Sequence, residues 1–281
     1  MTERGNQPLA SGFRRVFNRV EMNRVYCVQH DIAWEDRQRN HARVELLISQ
    51  AEPEAGSLVV LPEIFDGGFS FNLPKVAESE RRETSSFLSR IARKHQVWLM
   101  GGLVRMGLNG RGLNQAVVFN PEGAEVAHYT KQRPFTLGGE LEVMEKGTEG
   151  VVFDWAGCLV APFICYDLRF PELQRWAARK RPHLMTFIAS WPEGRDSHWV
   201  SLLQARAIEN QCYVAGVNRI GRDPKFGYLG HSRVFSPKGE ILADADSSEC
   251  VVSAALDLPA LAEYRRAFPF LDDMETDLAG I

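Results

Sequence analysis

Residues 158–172 have the sequence CLVAPFICYDLRFPE, which combines an apolar run, a cysteine and the start of a helix. The run Cys158–Ile164 predicts a strand that is buried on both faces. Pro171 suits the first position of a helix, where its missing N–H needs no partner. Cys165 therefore lies at a strand-to-helix turn, where backbone N–H groups and the helix dipole are expected to favour the nucleophilic thiolate. The segment predicts a reactive cysteine at the end of a buried strand.

Apolar and amphipathic segments alternate on both sides of this stretch. Helices are predicted at residues 34–51, 76–95, 195–211 and 258–267, with a fifth that begins at Pro171. The helix at 195–211 is predicted to have Trp199, Leu202, Leu203 and Ile208 on its apolar side. The sequences NPEG at 120–123 and SPKG at 236–239 predict two hairpins at similar positions of the two halves. Roughly twelve strands are too many for a simple doubly wound sheet. We therefore expect an α/β fold in which two packed sheets carry helices on their outer faces.

Residues 1–21 differ from the rest of the chain. They contain four arginines and little periodic apolar sequence, which predicts a disordered N-terminal extension. A start codon assigned too early is an alternative explanation, and an arginine-rich transit peptide is disfavoured by Glu3 and Glu21. No linker divides the remainder, so we expect residues 22–281 to form a single domain.

The composition excludes several functional classes. The 281 residues are 44% hydrophobic and 25% charged, with a net charge of -3, so neither nucleic acid nor a membrane is expected as a partner. No apolar stretch approaches the roughly 18 residues of a membrane span. The five cysteines are an odd number without CxxC spacing. They fit a reduced, cytoplasmic protein better than a disulfide framework or a metal site.

Three reactive side chains follow predicted strands. Glu63 follows residues 58–61, Lys131 follows residues 126–130, and Cys165 follows residues 159–164. Because ligands bind beyond the carboxyl ends of strands in α/β sheets, we expect these side chains to converge. Together they form a set for acyl transfer. The carboxylate takes the thiol proton and later activates water, and the ammonium group stabilises the oxyanion.

Each of these residues has a commoner structural explanation when it is taken singly. A buried cysteine usually acts as a small core hydrophobe. A glutamate after Leu-Pro can cap a helix, and a lysine after a strand is usually solvated. The chemical interpretation therefore depends on the three side chains meeting in the fold.

The sequence resembles a known family in the same three places. The motifs LPE at 61–63, YTK at 129–131 and ICYDLRFPE at 164–172 are similar to the Glu, Lys and Cys motifs of the nitrilase superfamily, the carbon–nitrogen hydrolases. The resemblance covers residues 24–272 and includes both hairpins and the segment ARAIEN at 205–210. It implies a four-layer α-β-β-α sandwich of two mixed sheets with outer helices, and a homodimer formed through those helices.

The resemblance also implies roles for particular residues. Cys165 would be the nucleophile, Glu63 the general base and Lys131 the oxyanion stabiliser. Glu140, in the sequence TLGGE at 136–140, stands where the family has a second glutamate that orients the lysine and the substrate amide. Members of the family use no metal or organic cofactor in this reaction, so none is expected here.

Within the superfamily, the likeness is greatest to the omega-amidases, which hydrolyse 2-oxoglutaramate. The supporting segments are WPEGR at 191–195, YLGHS at 228–232 and EYRRAFP at 263–269. Two departures concern substrate preference. Ser190 replaces an asparagine that is common before Trp-Pro, and the aromatic residue common before Gly147 is replaced around Met144.

The pocket walls must decide which amide is cleaved, because the catalytic set does not. Arg195 is predicted in the first turn of a helix, where a cation is unfavourable. Glu193, Asp196 or a substrate carboxylate would have to compensate its charge. Arg169 is interpreted as structural and paired with Asp167 or Glu172. The other predicted substrate-binding residues are Tyr166, Trp191, Phe69 and Phe135, and a plain core role is the alternative for the two phenylalanines. Tyr228 and His231 are candidates for the pocket wall on a glycine-rich loop, with a role in the loop alone as the alternative. His198 is a candidate polar neighbour of the pocket, with a structural role as the alternative.

Our first interpretation is an amidase that hydrolyses the terminal amide of a short 2-oxo acid through a thioester. An N-carbamoyl amidohydrolase, a deaminated-peptide amidase and a nitrilase are alternatives within the superfamily. A catalytically idle interaction protein is disfavoured by the intact Glu63, Lys131, Glu140 and Cys165. A Cys–His protease is also disfavoured, because the seven histidines form no local pattern near Cys165.

Overall fold

The computed structural model describes residues 23–274, in which two six-stranded mixed sheets are surrounded by helices. The extension predicted for residues 1–21 lies outside the described residues. The strands are β1 (Asn23–Gln29), β2 (Leu58–Val60), β3 (Trp98–Met106), β4 (Gly112–Phe119), β5 (Glu125–Thr130), β6 (Phe153–Trp155), β7 (Cys158–Ile164), β8 (Leu184–Ala189), β9 (Tyr213–Asn218), β10 (Ile220–Arg222), β11 (Gly227–Leu229), β12 (Arg233–Phe235), β13 (Ile241–Asp244) and β14 (Cys250–Leu256).

The helices lie mostly outside the sheets. They are α1 (Arg37–Ala51), α2 (Leu73–Val76), α3 (Glu83–His95), α4 (Glu140–Val143), α5 (Pro171–Ala178), α6 (Asp196–Glu209) and α7 (Leu258–Ala267). Short 3₁₀ turns at Cys165–Arg169 and Glu193–Arg195 precede α5 and α6. Within residues 23–274, no helix is both long and apolar enough to cross a membrane.

The two sheets have the same topology. The first has the order β14-β1-β2-β3-β4-β5 and the second the order β13-β12-β9-β8-β7-β6. In each sheet three parallel strands form the centre, namely β1-β2-β3 and β7-β8-β9. An antiparallel strand lies on one side and an antiparallel hairpin follows on the other. The turns NPEG and SPKG connect the predicted hairpins β4-β5 and β12-β13, and both predictions are confirmed.

The core is arranged as the four-layer sandwich that was expected. Alternate residues of β1 point to opposite faces of its sheet. Val25 and Cys27 belong to the cluster that joins the two sheets, whereas Tyr26 and Val28 pack with α1 and α3 on the outer face. The second sheet is covered on its outside by α5 and α6, whose buried residues include Leu173, Ala177, Trp199, Leu203 and Ala207.

The helix predicted at residues 76–95 is confirmed from Glu83 onwards, but its predicted start is too early. α3 begins at Glu83, and Val76 is the last residue of a separate short helix, α2. Ala77 forms a parallel bridge with Val104 of β3, and Glu78 N–H donates to the Val104 carbonyl at 2.8 Å. This pairing with the sheet removes the two residues from any helix. Arg82, in the left-handed region at φ 51°, then marks the start of α3.

Two other element predictions need correction. Ile208 was predicted on the apolar side of α6, but it is 45% exposed, and Arg206 and Ala207 are buried instead. Residues 228–230 were interpreted as a glycine-rich loop. Tyr228 lies on β11, in a small antiparallel hairpin with β10, and this hairpin stands apart from both sheets.

Candidate active site

The three predicted strand-end residues meet between the two sheets. Glu63 follows β2, Lys131 directly follows β5, and Cys165 directly follows β7. Glu63 and Lys131 are almost completely buried, and 9% of Cys165 is exposed. Lys131 Nζ lies 2.8 Å from Glu63 Oε1. The strand-end argument therefore predicted the convergence correctly.

Glu63 is held by three donors. Lys131 Nζ and Asn114 Nδ2 both donate to its Oε1 atom at 2.8 Å. The backbone N–H of Ser190, which follows β8, donates to its Oε2 atom at 2.9 Å. Donors from both sheets thus hold the Glu63 carboxylate. Sequence reasoning identified neither Asn114 nor the Ser190 N–H as part of the site.

A glycine allows the loop that carries Glu63 to lie close to the sheet. Gly102 of β3 donates its N–H to the Pro62 carbonyl at 3.1 Å, and its own carbonyl accepts from Phe65 N–H at 3.1 Å. A Cβ atom at position 102 would lie 2.7 Å from Glu63 Cα and 2.6 Å from Ile64 N. Any side chain there would displace the backbone of the carboxylate.

Lys131 bridges two carboxylates. Its Nζ atom lies 2.9 Å from Glu140 Oε2, in addition to its contact with Glu63. Glu140 also accepts from Asn114 Nδ2 at 3.0 Å and from Phe135 N–H at 2.6 Å. Burial would lower the pKa of Lys131, but the carboxylates of Glu140 and Glu63 outweigh burial and raise that pKa. The ammonium form is therefore the stable form at this site.

The turn at Cys165 is fixed by a buried carboxylate. Cys165 has φ 47°, the left-handed region in which a non-glycine residue needs support from its surroundings. Asp167 accepts from Ile164 N–H at 3.0 Å, from Tyr129 O–H at 2.9 Å and from Arg133 N–H at 2.8 Å. These donors come from both sides of Lys131 and from the residue before the cysteine. Asp167 therefore ties the lysine segment to the cysteine turn.

The electrostatic surroundings of Cys165 differ from the sequence prediction. We expected the turn to favour a thiolate, but burial raises the pKa of the Cys165 thiol well above its usual value, and Glu63 raises it further. Lys131 and the backbone of Ser190 oppose this shift without cancelling it. The turn is a short 3₁₀ segment, so the dipole of a long helix is missing. The resting form is therefore the thiol, and a base must remove its proton.

A pocket opens beside Cys165 and is lined by all five predicted substrate-binding residues, namely Phe69, Phe135, Tyr166, Trp191 and Arg195. Phe69 lies under the ammonium group, with Lys131 Nζ 5.1 Å from its ring centroid. The Phe135 and Tyr166 rings pack edge to face at 5.2 Å. Within residues 23–274, no group of three or more His, Cys, Asp or Glu side chains could hold a metal ion.

Arg169 also lines this pocket, although it was predicted to be structural. Asp167 is occupied by the donors described above, and Glu172 pairs with Arg133 at 3.0 Å. Arg169 instead lies over the Trp191 ring, with 4.6 Å between its Cζ atom and the ring centroid. Burial and the charge of Arg195 lower the pKa of Arg169. The pocket therefore contains two arginines that repel each other.

The carboxylates predicted to compensate Arg195 are engaged elsewhere. Glu193 lies 3.9 Å from Arg222, and Asp196 lies 2.8 Å from His231. Arg195 Cζ is 5.6 Å from the Phe135 ring centroid. In the described part of the chain, neither pocket arginine forms an ion pair. Their charges face the pocket without a carboxylate partner from the protein.

Three further residues had been left open between pocket and structural roles. Tyr228 lines the pocket, and so does Phe226 in the β10–β11 turn. His198 is a polar neighbour of the pocket, since its Nδ1 atom lies 3.3 Å from Arg169. His231 is structural, because it pairs with Asp196 and its carbonyl accepts from Trp199 Nε1 at 3.0 Å.

Comparisons with known proteins identify the family of the chain. The chain is 35% identical to the 2-oxoglutaramate amidase of Bacillus subtilis over 90% of its own length and 98% of that protein. It is 33% identical to omega-amidase YafV of Escherichia coli K12, over 90% of this chain and 96% of that one. The crystal structure of XC1258 from Xanthomonas campestris, which has an arsenic adduct in its active site, superposes with a TM-score of 0.85 at 32% identity, covering 92% of this chain and 98% of that one. The carbon-nitrogen hydrolase family model matches residues 24–266, and the chain therefore belongs to that family of hydrolases, which act on carbon–nitrogen bonds other than peptide bonds.

Proposed function

We propose that the protein hydrolyses the terminal amide of a short 2-oxo acid, of the 2-oxoglutaramate type, to the acid and ammonia. The observation that carries this proposal is the pair of pocket arginines beside Cys165. Arg169 and Arg195 face the pocket without a carboxylate from the described residues. An amide substrate that brings its own carboxylate would supply the missing charge. Relatives at 33–35% identity carry the names omega-amidase and 2-oxoglutaramate amidase, which agrees with this substrate.

In the first half-reaction, Glu63 takes the thiol proton of Cys165 as the sulfur attacks the amide carbon. The raised pKa of the thiol makes this general base necessary. A tetrahedral intermediate forms, and its oxyanion is stabilised by the charge of Lys131 and by the backbone N–H of Tyr166. The proton on Glu63 then passes to the amide nitrogen. Ammonia leaves, and the acyl group remains on sulfur as a thioester.

The second half-reaction uses the same groups in reverse. Glu63 removes a proton from water, which attacks the thioester carbon, and Lys131 again stabilises the oxyanion. The carbon–sulfur bond breaks, and the proton returns to the sulfur as the acid departs. Glu140 contacts Lys131, Asn114 and Phe135 N–H. Its role in the proposal is to orient the ammonium group.

The arginines separate this proposal from most alternatives. A simple nitrile or an aliphatic amide has no carboxylate, so it would leave the charges of Arg169 and Arg195 unpaired in the pocket. An N-carbamoyl amino acid does carry a carboxylate, so an N-carbamoyl amidohydrolase is the second candidate. The two differ at the carbon under attack, which is an amide carbon in one and a urea-type carbon in the other.

The test measures two amides with two arginine variants. We expect Arg195→Met and Arg169→Met each to lower kcat/KM for 2-oxoglutaramate by roughly 10- to 100-fold, the size of a lost charge-assisted hydrogen bond. The kcat/KM for butyramide should change by less than about 3-fold, because that amide has no carboxylate. Arg222→Met is the control, since this arginine pairs with Glu193 and is not a pocket residue. Equal losses for both amides would contradict a carboxylate-binding role.

The compartment is part of the same proposal. The five cysteines, all of which lie in the described residues, are free. Burial raises the pKa of Cys27, Cys158 and Cys212 to about 12. Free thiols and a reactive cysteine support a reducing, cytoplasmic location.

A further inference from the structure

The catalytic cluster has an unbalanced charge. Glu63 and Glu140 supply two carboxylates, and Lys131 supplies one ammonium group, all of them almost completely buried. A buried carboxylate is costly unless a cation or several hydrogen bonds compensate it. One cation is shared between the two glutamates, so neutral donors must provide the rest of the compensation.

Asn114 of β4 is the residue that contacts every member of this cluster. Its Nδ2 atom donates to Glu63 Oε1 at 2.8 Å and to Glu140 Oε1 at 3.0 Å. Its backbone carbonyl accepts from Lys131 N–H at 2.9 Å. The side chain is 1% exposed. One amide group therefore supplies a donor to each carboxylate and also fixes the start of the lysine segment.

The orientation of the amide follows from chemistry. Both neighbouring carboxylate oxygens accept hydrogen bonds, so the NH₂ group has to face them. The Asn114 Oδ1 atom is buried and has no hydrogen-bond partner among the described residues. The site thus uses only the donor half of this side chain. An aspartate would add a third negative charge, and a leucine of similar size would supply no donor.

The hydrogen bonds also distinguish the two oxygens of Glu63. Each carboxylate oxygen has about two acceptor positions. Lys131 and Asn114 occupy both positions on Oε1, whereas Ser190 N–H occupies one position on Oε2. One acceptor position remains free, and it is on Oε2.

We infer that Asn114 is a positioning residue that saturates Glu63 Oε1, so that the proton of Cys165 is transferred to Oε2. The inference rests on the proposed role of Glu63 as general base. Asn114 is not among the residues that line the pocket, and its side chain donates only to the two carboxylates, so it acts through Glu63. Without its amide, Oε1 regains a free acceptor position, and the ionised form of Glu63 loses a stabilising hydrogen bond.

The experiment compares pH profiles of the wild type and Asn114→Leu. We expect kcat to fall by roughly 10- to 100-fold with little change in KM, as for the loss of one hydrogen bond to a charged group. The acidic limb of the kcat/KM profile should also move to higher pH, because a carboxylate with fewer donors holds its proton more tightly. In Asn114→Asp, part of the lost kcat should return as the pH falls, because the O–H of a protonated aspartate can donate to the neighbouring carboxylates.

A second readout separates this inference from the substrate assignment. The rate at which iodoacetamide alkylates Cys165 depends on proton removal from the thiol but needs no amide substrate. Its acidic limb should move to higher pH in Asn114→Leu as well. Asn210→Leu is the control, since Asn210 is fully buried at the end of α6 and its Nδ2 atom donates to the Arg206 carbonyl at 2.9 Å. We expect that variant to lose stability without any shift in either profile.

The outcomes are distinct. If the wild type does not hydrolyse 2-oxoglutaramate but the acidic limb of alkylation still moves to higher pH in Asn114→Leu, the proposed substrate is overturned and the positioning role is supported. Profiles of Asn114→Leu that superpose on the wild type in shape, or that shift equally in Asn210→Leu, overturn the positioning role.

Discussion

At the residue scale, Cys165 depends on two neighbours with opposite effects. Glu63 raises the pKa of the thiol, and Lys131 lowers it. The Glu63 carboxylate therefore repels a thiolate, and among the described residues that act on the thiol it is the carboxylate with a free acceptor position for the proton, since Glu140 is fully engaged. In the proposed mechanism, proton transfer from sulfur to Glu63 removes the repulsion, so the two groups act as one unit.

We expect Cys165→Ala and Glu63→Gln each to lower kcat by at least about 10⁴-fold, because residues that act as a unit fail together. Ammonia release measures the loss, and circular dichroism checks the fold. The matched control is Cys158→Ala, a buried cysteine at the start of β7, the strand that Cys165 follows. Hydrolysis retained in Cys165→Ala, or lost to the same degree in Cys158→Ala, would contradict the mechanism.

Sequence reasoning identified the residues whose position follows from a strand end. Glu63, Lys131 and Cys165 each follow a recognisable apolar run, and Glu140 came from the resemblance alone. Asn114 and Arg169 were not assigned to the site for different reasons. Asn114 lies within β4, where pairing with a partner strand decides its neighbours. Arg169 had carboxylates nearby in sequence, but other donors occupy them in the fold.

At the scale of elements, β3 supports the loop that carries the general base. We expect Gly102→Ala to destabilise the protein by about 1–3 kcal/mol, because a Cβ atom would meet backbone atoms that cannot move aside. The kcat/KM should fall as Glu63 is displaced. Thermal unfolding and amidase assays measure the two effects.

The neighbouring glycine provides the control for this prediction. A Cβ atom at Gly101 would meet the side chain of Phe65 at 3.0 Å, not the backbone of Glu63. Gly101→Ala should therefore reduce stability while leaving kcat/KM within about 3-fold of the wild type. If Gly102→Ala keeps full activity, the close approach of the Glu63 loop does not matter for catalysis.

Element predictions succeeded where one periodic pattern had no competitor. The run of β7 and the helix that begins at Pro171 agree with the structure. The start of the helix predicted at 76–95 was wrong because Ala77 and Glu78 pair with β3, a contact distant in sequence. The β10–β11 hairpin was missed because its strands are short and rich in glycine. Tertiary pairing decided the first case.

At the scale of the whole molecule, two histidines are expected to make the fold sensitive to acid. Burial and the charge of Arg219 together lower the pKa of His30 to about 4, although the hydrogen bond to the Phe65 carbonyl opposes them. Burial and the charge of Arg37 lower the pKa of His41 to about 4. Between pH 6.5 and pH 4 each of these histidines binds a proton in the unfolded chain but not in the native protein, so their contribution lowers the free energy of unfolding as the pH falls through this window. Asp167 has the opposite effect, because burial raises the pKa of its carboxyl to about 7.

We expect His30→Gln to be less sensitive to acid than the wild type. Glutamine can still donate to the Phe65 carbonyl, which lies 3.2 Å from His30 Nε2, but it does not titrate. From pH 7 to pH 5, His30 should account for at most about 2 kcal/mol of the stability lost. Urea unfolding at both pH values measures the difference. Parallel losses in the wild type and the variant would exclude His30 as a source of acid sensitivity.

The homodimer implied by the family resemblance is a proposal about the outer helices of the second sheet. Trp176 of α5 and Ile208 of α6 are large apolar side chains that are 38% and 45% exposed. The two helices are adjacent, since Arg175 donates to the Glu209 carbonyl at 3.1 Å. Covering such side chains with a second copy would remove apolar surface from water.

We expect sedimentation equilibrium to give twice the chain mass of 31.7 kDa. Ile208→Glu should shift the protein towards the monomer, because a charge would be buried in the interface. Leu46→Glu is the matched control, since Leu46 of α1 is 44% exposed but covers the outer face of the other sheet. A monomeric wild type, or dissociation caused equally by Leu46→Glu, would contradict this interface.

The central claim is that Cys165 cleaves the amide of a carboxylate-bearing 2-oxo acid. The most direct test is ammonia release from 2-oxoglutaramate, measured beside glutamine, an N-carbamoyl amino acid and a simple nitrile, with Cys165→Ala as control. We predict rapid release from 2-oxoglutaramate alone, and none from the variant. No release from 2-oxoglutaramate, together with turnover of the carbamoyl compound or the nitrile, would contradict the proposed substrate and assign the protein to another branch of its family.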